Sequence, residues 1–120
     1  MRSGDAVPRV GREARVPEML REMTSKGFGF TAVTDADGGI AGIFTDGDLR
    51  RLIETGADLR GLAASEVMQA RPKLIRGEAL AVEAAELMET HRITGLIVVD
   101  AEGRLAGVLN SNDLMRAKVI

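Results

Sequence analysis

Residues 42–51 read Gly42-Ile-Phe-Thr-Asp-Gly-Asp-Leu-Arg-Arg51, and sixty-five residues later the chain reads Gly107-Val-Leu-Asn-Ser-Asn-Asp-Leu-Met-Arg116. Laying residues 16–51 over 81–116 gives 11 identities in 36 positions without a gap. They include Met23/Met88, Val33/Val98, Asp35/Asp100, Gly38/Gly103, Gly42/Gly107, Asp48/Asp113 and Leu49/Leu114. Most other pairs exchange like for like, as in Ile40/Leu105 and Ile43/Val108. A repeat at a fixed spacing marks one supersecondary unit used more than once. Two copies are too few for a solenoid, so the expectation is one pseudo-symmetric domain.

Each copy reads strand, helix, strand, strand, helix. In the first copy, residues 7–10 read as a short strand. Pro17 suits the first turn of a helix, where a missing N–H costs nothing. Val16, Met19, Leu20 and Met23 share one face of that helix, and Gly27 stops it. Residues 30–34 read as a strand, and Asp35-Ala-Asp-Gly-Gly39 as the turn of a hairpin returning over 40–44. Leu49, Leu52 and Ile53 then face one side of a second helix that Gly56 ends. The second copy repeats the order: a strand at 73–76, a stripe of Leu80, Ala84, Leu87 and Met88, strands at 96–99 and 105–109, and a helix at 112–119. The expected organisation is residues 1–6 loosely ordered or an added edge, 7–56 the first copy, 57–66 a connector with a helical turn near 65–68, and 67–120 the second copy. The fold class is α/β, with the two β-α-β-β-α units packed sheet to sheet about a pseudo-twofold axis.

Composition narrows the function. The chain has 120 residues, 45% of them hydrophobic, which suits a single domain with a real core. No apolar run is long enough to span a membrane, and no leader pattern opens the chain. There is no Cys, which removes disulfide and thiolate chemistry and fits a cytoplasmic location. The net charge of −2 with both signs interspersed lacks the basic stripe of a nucleic-acid surface. Three Phe without Trp or Tyr make no stacking platform for single strands. One His and no Cys argue against a transition-metal site. That His91 falls at a helix C-terminus, where the dipole favours it. Arg50 and Arg51 read as a solvated helix face.

The repeated tips are the candidate site. In each copy a return strand ends where a helix begins, at Thr45-Asp-Gly-Asp48 and at Asn110-Ser-Asn-Asp113. The first turn of a helix carries unpaired N–H groups and a partial positive charge. Thr45 can add a hydrogen bond to a phosphate, and Asp48 or Asp113 can accept two from a ribose diol. The same residues also spell a capping box, in which Thr45 caps the helix and Asp48 reaches back. Asn110 is an equally good cap. On the pattern alone the cap reading prevails, because such boxes are common in globular proteins.

These tips, with Val67-Met68 and Val98-Val99-Asp100, resemble a tandem pair of cystathionine-β-synthase-type (CBS) domains over residues 7–119. Within that family the chain looks most like the C-terminal half of the sugar-phosphate isomerases that act on D-arabinose 5-phosphate. The segments Pro8-Arg9-Val10, Thr31-Ala32-Val33, Gly42 to Arg51, Ala81-Val-Glu-Ala84 and His91-Arg92-Ile93-Thr94 carry that likeness.

The resemblance implies a regulatory module that needs no cofactor and binds AMP, ATP or a nucleotide-sugar such as CMP-Kdo. It implies an N-terminal sugar-isomerase (SIS) domain in a longer parent protein of the Kdo pathway, and a homodimer or higher oligomer. It implies no nucleic-acid or membrane partner, and no catalysis by these residues alone. The site it implies is Thr45, Asp48, Asn110 and Asp113, with Gly29, Phe30, Thr94 and Gly95 lining the cleft for the base. Those isomerases show His-x-His-Asp-Leu at the second tip, where this chain has Asn110-Ser-Asn-Asp-Leu114. Amides at 110 and 112 hydrogen-bond but do not titrate. The alternatives are a dimerisation module without ligand, or the CBS pair of another enzyme or transporter.

Overall fold

A computed structural model describes residues 2–77, 81–93 and 95–110. The C-terminal helix expected at 112–119, Leu80 of the second helical stripe, and the site residues Thr94 and Asp113 lie outside the described residues.

The elements follow the repeat. Strand β1 is Arg2–Ser3 and β2 is Arg9–Gly11. Helix α1 runs Val16–Lys26, strand β3 Phe30–Thr34, strand β4 Ile40–Thr45 and helix α2 Asp46–Thr55. After a short helix α3 at Ala64–Val67 come β5 (Gln69–Ala70), β6 (Leu74–Arg76), α4 (Ala81–His91), β7 (Gly95–Val99) and β8 (Leu105–Asn110).

Helix α1 has Pro17 in its first turn and buries Val16, Met19 and Met23. Lys26 reaches back one turn to Glu22 at 3.0 Å. Gly27 ends the helix at φ 65°, its N–H bonding the carbonyls of Met23 and Thr24, a conformation that an L side chain resists. In α2, Leu49 and Leu52 pack on the core, but Ile53 is 58% exposed and does not share their face. A helix of ten residues buries a narrower stripe than the apolar spacing suggests.

Two four-stranded sheets result, ordered β2-β3-β4-β5 and β1-β8-β7-β6. Their registers superpose on the 65-residue spacing: Arg9 faces Ala32 as Leu74 faces Ile97, and Phe30 faces Thr45 as Gly95 faces Asn110. Even the irregularity repeats, at Val33/Thr34 and at Val98/Val99. Each sheet takes its last strand from the segment ahead of the other copy. Strand β1 pairs with β8, Arg2 opposite Val108, and β5 pairs with β4, Gln69 opposite Ile43. The expectation that residues 1–6 lie loose is therefore corrected for residues 2–6. Strand β1 completes the second sheet, and Gly4–Ala6 form a 3-10 turn leading back to the buried Val7.

The core has three parts. Val10, Met19, Met23, Val33 and Phe44 fill the space between the first sheet and its helices. Ile75, Ala84, Met88, Leu96 and Val98 do the same for the second. Between the sheets lie Val7, Phe28, Phe30, Ala32, Ile97, Val99 and Val108, so equivalent positions such as 32 and 97 meet across the interface. Two contacts mark the axis. Gly39 bridges its own counterpart Arg104, and the Leu105 N–H donates to the Gly38 carbonyl at 3.0 Å. At the other end the Phe30 ring lies against its counterpart Gly95, and a Cβ at 95 would fall inside the ring's contact distance. Phe28 braces that ring edge-on, centroids 4.9 Å apart.

Gly95→Ala forces the Phe30 ring off its seat and lowers stability by about 1–3 kcal/mol in chemical denaturation; an unchanged midpoint would contradict the axis contact. At the second hairpin the Asp100 carboxylate accepts from the Arg104 N–H at 3.0 Å and from the Glu102 N–H at 2.9 Å. The Arg104 bond leads, slight desolvation opposes it, and the Asp100 carboxyl is held below its ordinary value. A carboxyl depressed on folding stabilises above its unfolded pKa, and that stabilisation is lost as pH falls through the folded one. NMR titration should place Asp100 below the ordinary Asp range, and Asp100→Asn should flatten the acid limb of stability.

Candidate functional site

Strand β4 runs directly into α2, so Thr45 is both the last strand residue and the helix N-cap. Its hydroxyl oxygen accepts from the Asp48 N–H at 3.1 Å, and Asp48 accepts from the Thr45 N–H at 2.9 Å. Both halves of the capping box are present. The Asp48 carboxylate is then used further. The Gln69 amide donates to its two oxygens at 2.8 and 3.0 Å, and Arg51 donates at 2.6 Å. Asp48 is only 8% exposed. Strand β5 carries Gln69, so the linker between the copies covers the carboxylate.

The helix start is less open than the pattern suggests. The Asp46 N–H already donates to the Gly29 carbonyl at 3.0 Å, and the N–H groups of Thr45 and Asp48 are held within the cap. Gly47 is the residue left to receive a ligand. A Cβ there would meet Arg51 Nη1 at 3.4 Å and Thr45 Oγ1 at 3.6 Å. The Thr45 hydroxyl and the Arg51 guanidinium thus flank one side of Gly47. Because the Thr45 oxygen accepts from Asp48, its proton is available to donate outward.

This spot opens into a cleft of about 810 Å³ between the two copies. Five of the expected site residues line it: Gly29, Phe30, Thr45, Gly95 and Asn110. Asp48 is not among them; Gln69 lines the cleft in front of it. Phe30 is 5% exposed, and its ring serves mainly the packing between copies. Thr94 and Asp113 fall outside the described residues.

The sequence reading missed the cleft's charge. Among the described residues, Arg50, Arg51, Arg71, Lys73 and Arg92 line it against one carboxylate, Asp46, in a chain whose net charge is −2. The arginines at 50 and 51 are thus not merely a solvated face. His91, the last residue of α4, also reaches the cleft. Part of this was visible in advance: Arg92 stands opposite Gly27 in the 65-residue alignment, an unusual exchange of residue type. Such a cleft concentrates anions. Among the described residues no three His, Asp or Glu side chains converge as a metal site would require.

Comparison with known proteins agrees with this architecture. The family model of the CBS domain matches residues 4–55 and 64–120. Arabinose 5-phosphate isomerase KdsD of Pseudomonas aeruginosa is 46% identical over all 120 residues, which span only 37% of that relative's length. CBSX2 in complex with AMP superposes with a TM-score of 0.83 at 24% identity, covering 99% of this chain and 92% of that one. The cytosolic domain of the Mg2+ channel MgtE in complex with ATP superposes with a TM-score of 0.78 at 27% identity, covering 96% and 46%.

The cap geometry makes one prediction that needs no ligand. Asp48→Ala removes the back half of the capping box and strands the Gln69 amide. It should lower stability by about 1–2 kcal/mol in urea unfolding. No change would mean that the cap contributes nothing.

Proposed function

The chain belongs to the CBS-domain family, and on that premise we propose that its cleft binds a nucleotide or nucleotide-sugar and regulates the SIS catalytic domain of a longer arabinose 5-phosphate isomerase. The observation that carries this reading is the excess of cations among the described residues around a cleft of nucleotide size, beside Thr45 and Arg51. The AMP and ATP complexes of the related folds support it, as does the identity to KdsD along the whole chain.

A phosphate would sit against the Thr45 hydroxyl, the Gly47 N–H and Arg51. The ribose would reach Asp48 by replacing the Gln69 amide, so the Gln69-covered and sugar-bound forms would be successive states of one capped carboxylate. Asn110 and Asp113 would serve the second tip, and the base would enter beside Gly29, Phe30, Thr94 and Gly95. Regulation then requires that the ligand bind the parent's two conformations with different affinity. Displacing Gln69 from Asp48 would pull on β5, the strand that ties the linker to the first sheet. A two-fold assembly of the parent through this module fits the commonest oligomer symmetry.

Calorimetry with AMP, ATP, CMP and CMP-Kdo tests the reading. At least one should bind, and Thr45→Ala should weaken it by roughly tenfold, the worth of one charge-assisted hydrogen bond. Silence from all four would leave the module as an oligomerisation scaffold, and the nucleotide reading would fail.

A further inference from the structure

Among the described residues, two that are not glycine adopt a positive φ: Arg71 at 57° and Arg92 at 52°. Both are arginines, and both line the cleft. The left-handed region is costly for any residue with a Cβ, and strain of this kind collects where function requires it. Arg71 carries a second constraint, because a residue before proline is pushed toward extended conformations and Pro72 follows it.

The pseudo-symmetry shows what the unstrained solution would be. Arg92 is the counterpart of Gly27. Its N–H bonds the Glu89 carbonyl as Gly27 bonds Thr24, and the next N–H bonds Met88 as Phe28 bonds Met23. Arg71 follows β5 as Gly4 follows β1: Ala70 faces Gly42 and Ser3 faces the equivalent Gly107. Gly4 and Gly27 also have positive φ, at 63° and 65°. The same two turns are thus built once with glycine, at no steric cost, and once with arginine. The arginine versions are the two that border the cleft. None of the four salt bridges among the described residues involves Arg71, Arg92 or the nearby Lys73.

We infer that Arg71 and Arg92, with Lys73, form a second anion subsite in the cleft, opposite the Thr45–Gly47–Arg51 spot. The cleft would then select ligands with two separated anionic groups, a phosphoryl chain or a phosphate joined to an acidic sugar, over a nucleoside monophosphate. This rests on the proposed nucleotide reading for the base and ribose, but the subsite itself needs only an anion.

The test uses the 120-residue chain, the double variant Arg71→Gly/Arg92→Gly, and the control Arg21→Gln/Arg60→Gln, which removes equal charge away from the cleft. Calorimetry is run with inorganic pyrophosphate, AMP and ATP, and thermal unfolding is followed without ligand. Glycine accepts both backbone conformations, so the melting temperature of the double variant should hold or rise. Its affinity for pyrophosphate and ATP should fall by about tenfold or more, and for AMP by much less. The control should leave the ATP-to-AMP ratio unchanged. Pyrophosphate binding without AMP or ATP binding, lost in the glycine variant, would sink the nucleotide reading while upholding the subsite. Pyrophosphate that fails to bind, or binds the variant equally well, would overturn the subsite, as would a parallel loss of AMP and ATP affinity.

Discussion

At a pseudo-twofold axis a residue meets its own counterpart, and two copies of one side chain seldom fit one space. The Phe30 ring against Gly95 is this constraint in its simplest form. A phenylalanine at both positions would overfill the interface, and a glycine at both would leave a void. Duplication therefore had to be broken at the axis, while some positions far from it stayed alike. Met23 and Met88, Val33 and Val98, each buried on its own outer face, remain identical. Gly39 and Arg104, which bridge at the axis, differ, as do Ala32 and Ile97 between the sheets.

Once symmetry is broken at the centre, the cleft beside it need not be symmetric either. Copy one contributes a capped helix start whose donors are Thr45, Gly47 and Arg51. The linker and copy two contribute Arg71, Lys73 and Arg92. The two carboxylates of the helix start, Asp46 and Asp48, would repel an anion by themselves. Asp48 is neutralised locally by Arg51 and covered by Gln69, and among the described residues the surrounding cations outnumber Asp46. The macrodipole of a ten-residue helix is worth little against such charges, so the cations set the sign of the cleft.

The repeat made the hairpins, their registers and both helical faces legible, because buried faces impose periods that survive duplication. Strands β1 and β5 were not legible. Two residues carry no period, and their pairing depends on segments far apart in the chain. The exposure of Ile53 was hidden for a similar reason, since spacing alone does not say how wide a helix stripe the sheet can cover. At Asp48 the sequence allowed a cap or a ribose contact. The capping bonds are made, and Gln69, 21 residues downstream, covers the rest of the carboxylate, which no local pattern announces. Arg92 opposite Gly27 was readable, but Arg71 was not, because a two-residue difference in loop length moves it out of the 65-residue register.

On this reading the two sides of the cleft act on one anionic ligand. Backbone NMR of the chain titrated with ATP tests it most directly. The amides of Gly47 and Asp48 should shift on the same binding curve as those of Arg71 and Arg92, and the Gln69 side-chain amide should move with them. Shifts confined to one side of the cleft, or displaced to a surface away from it, would contradict it.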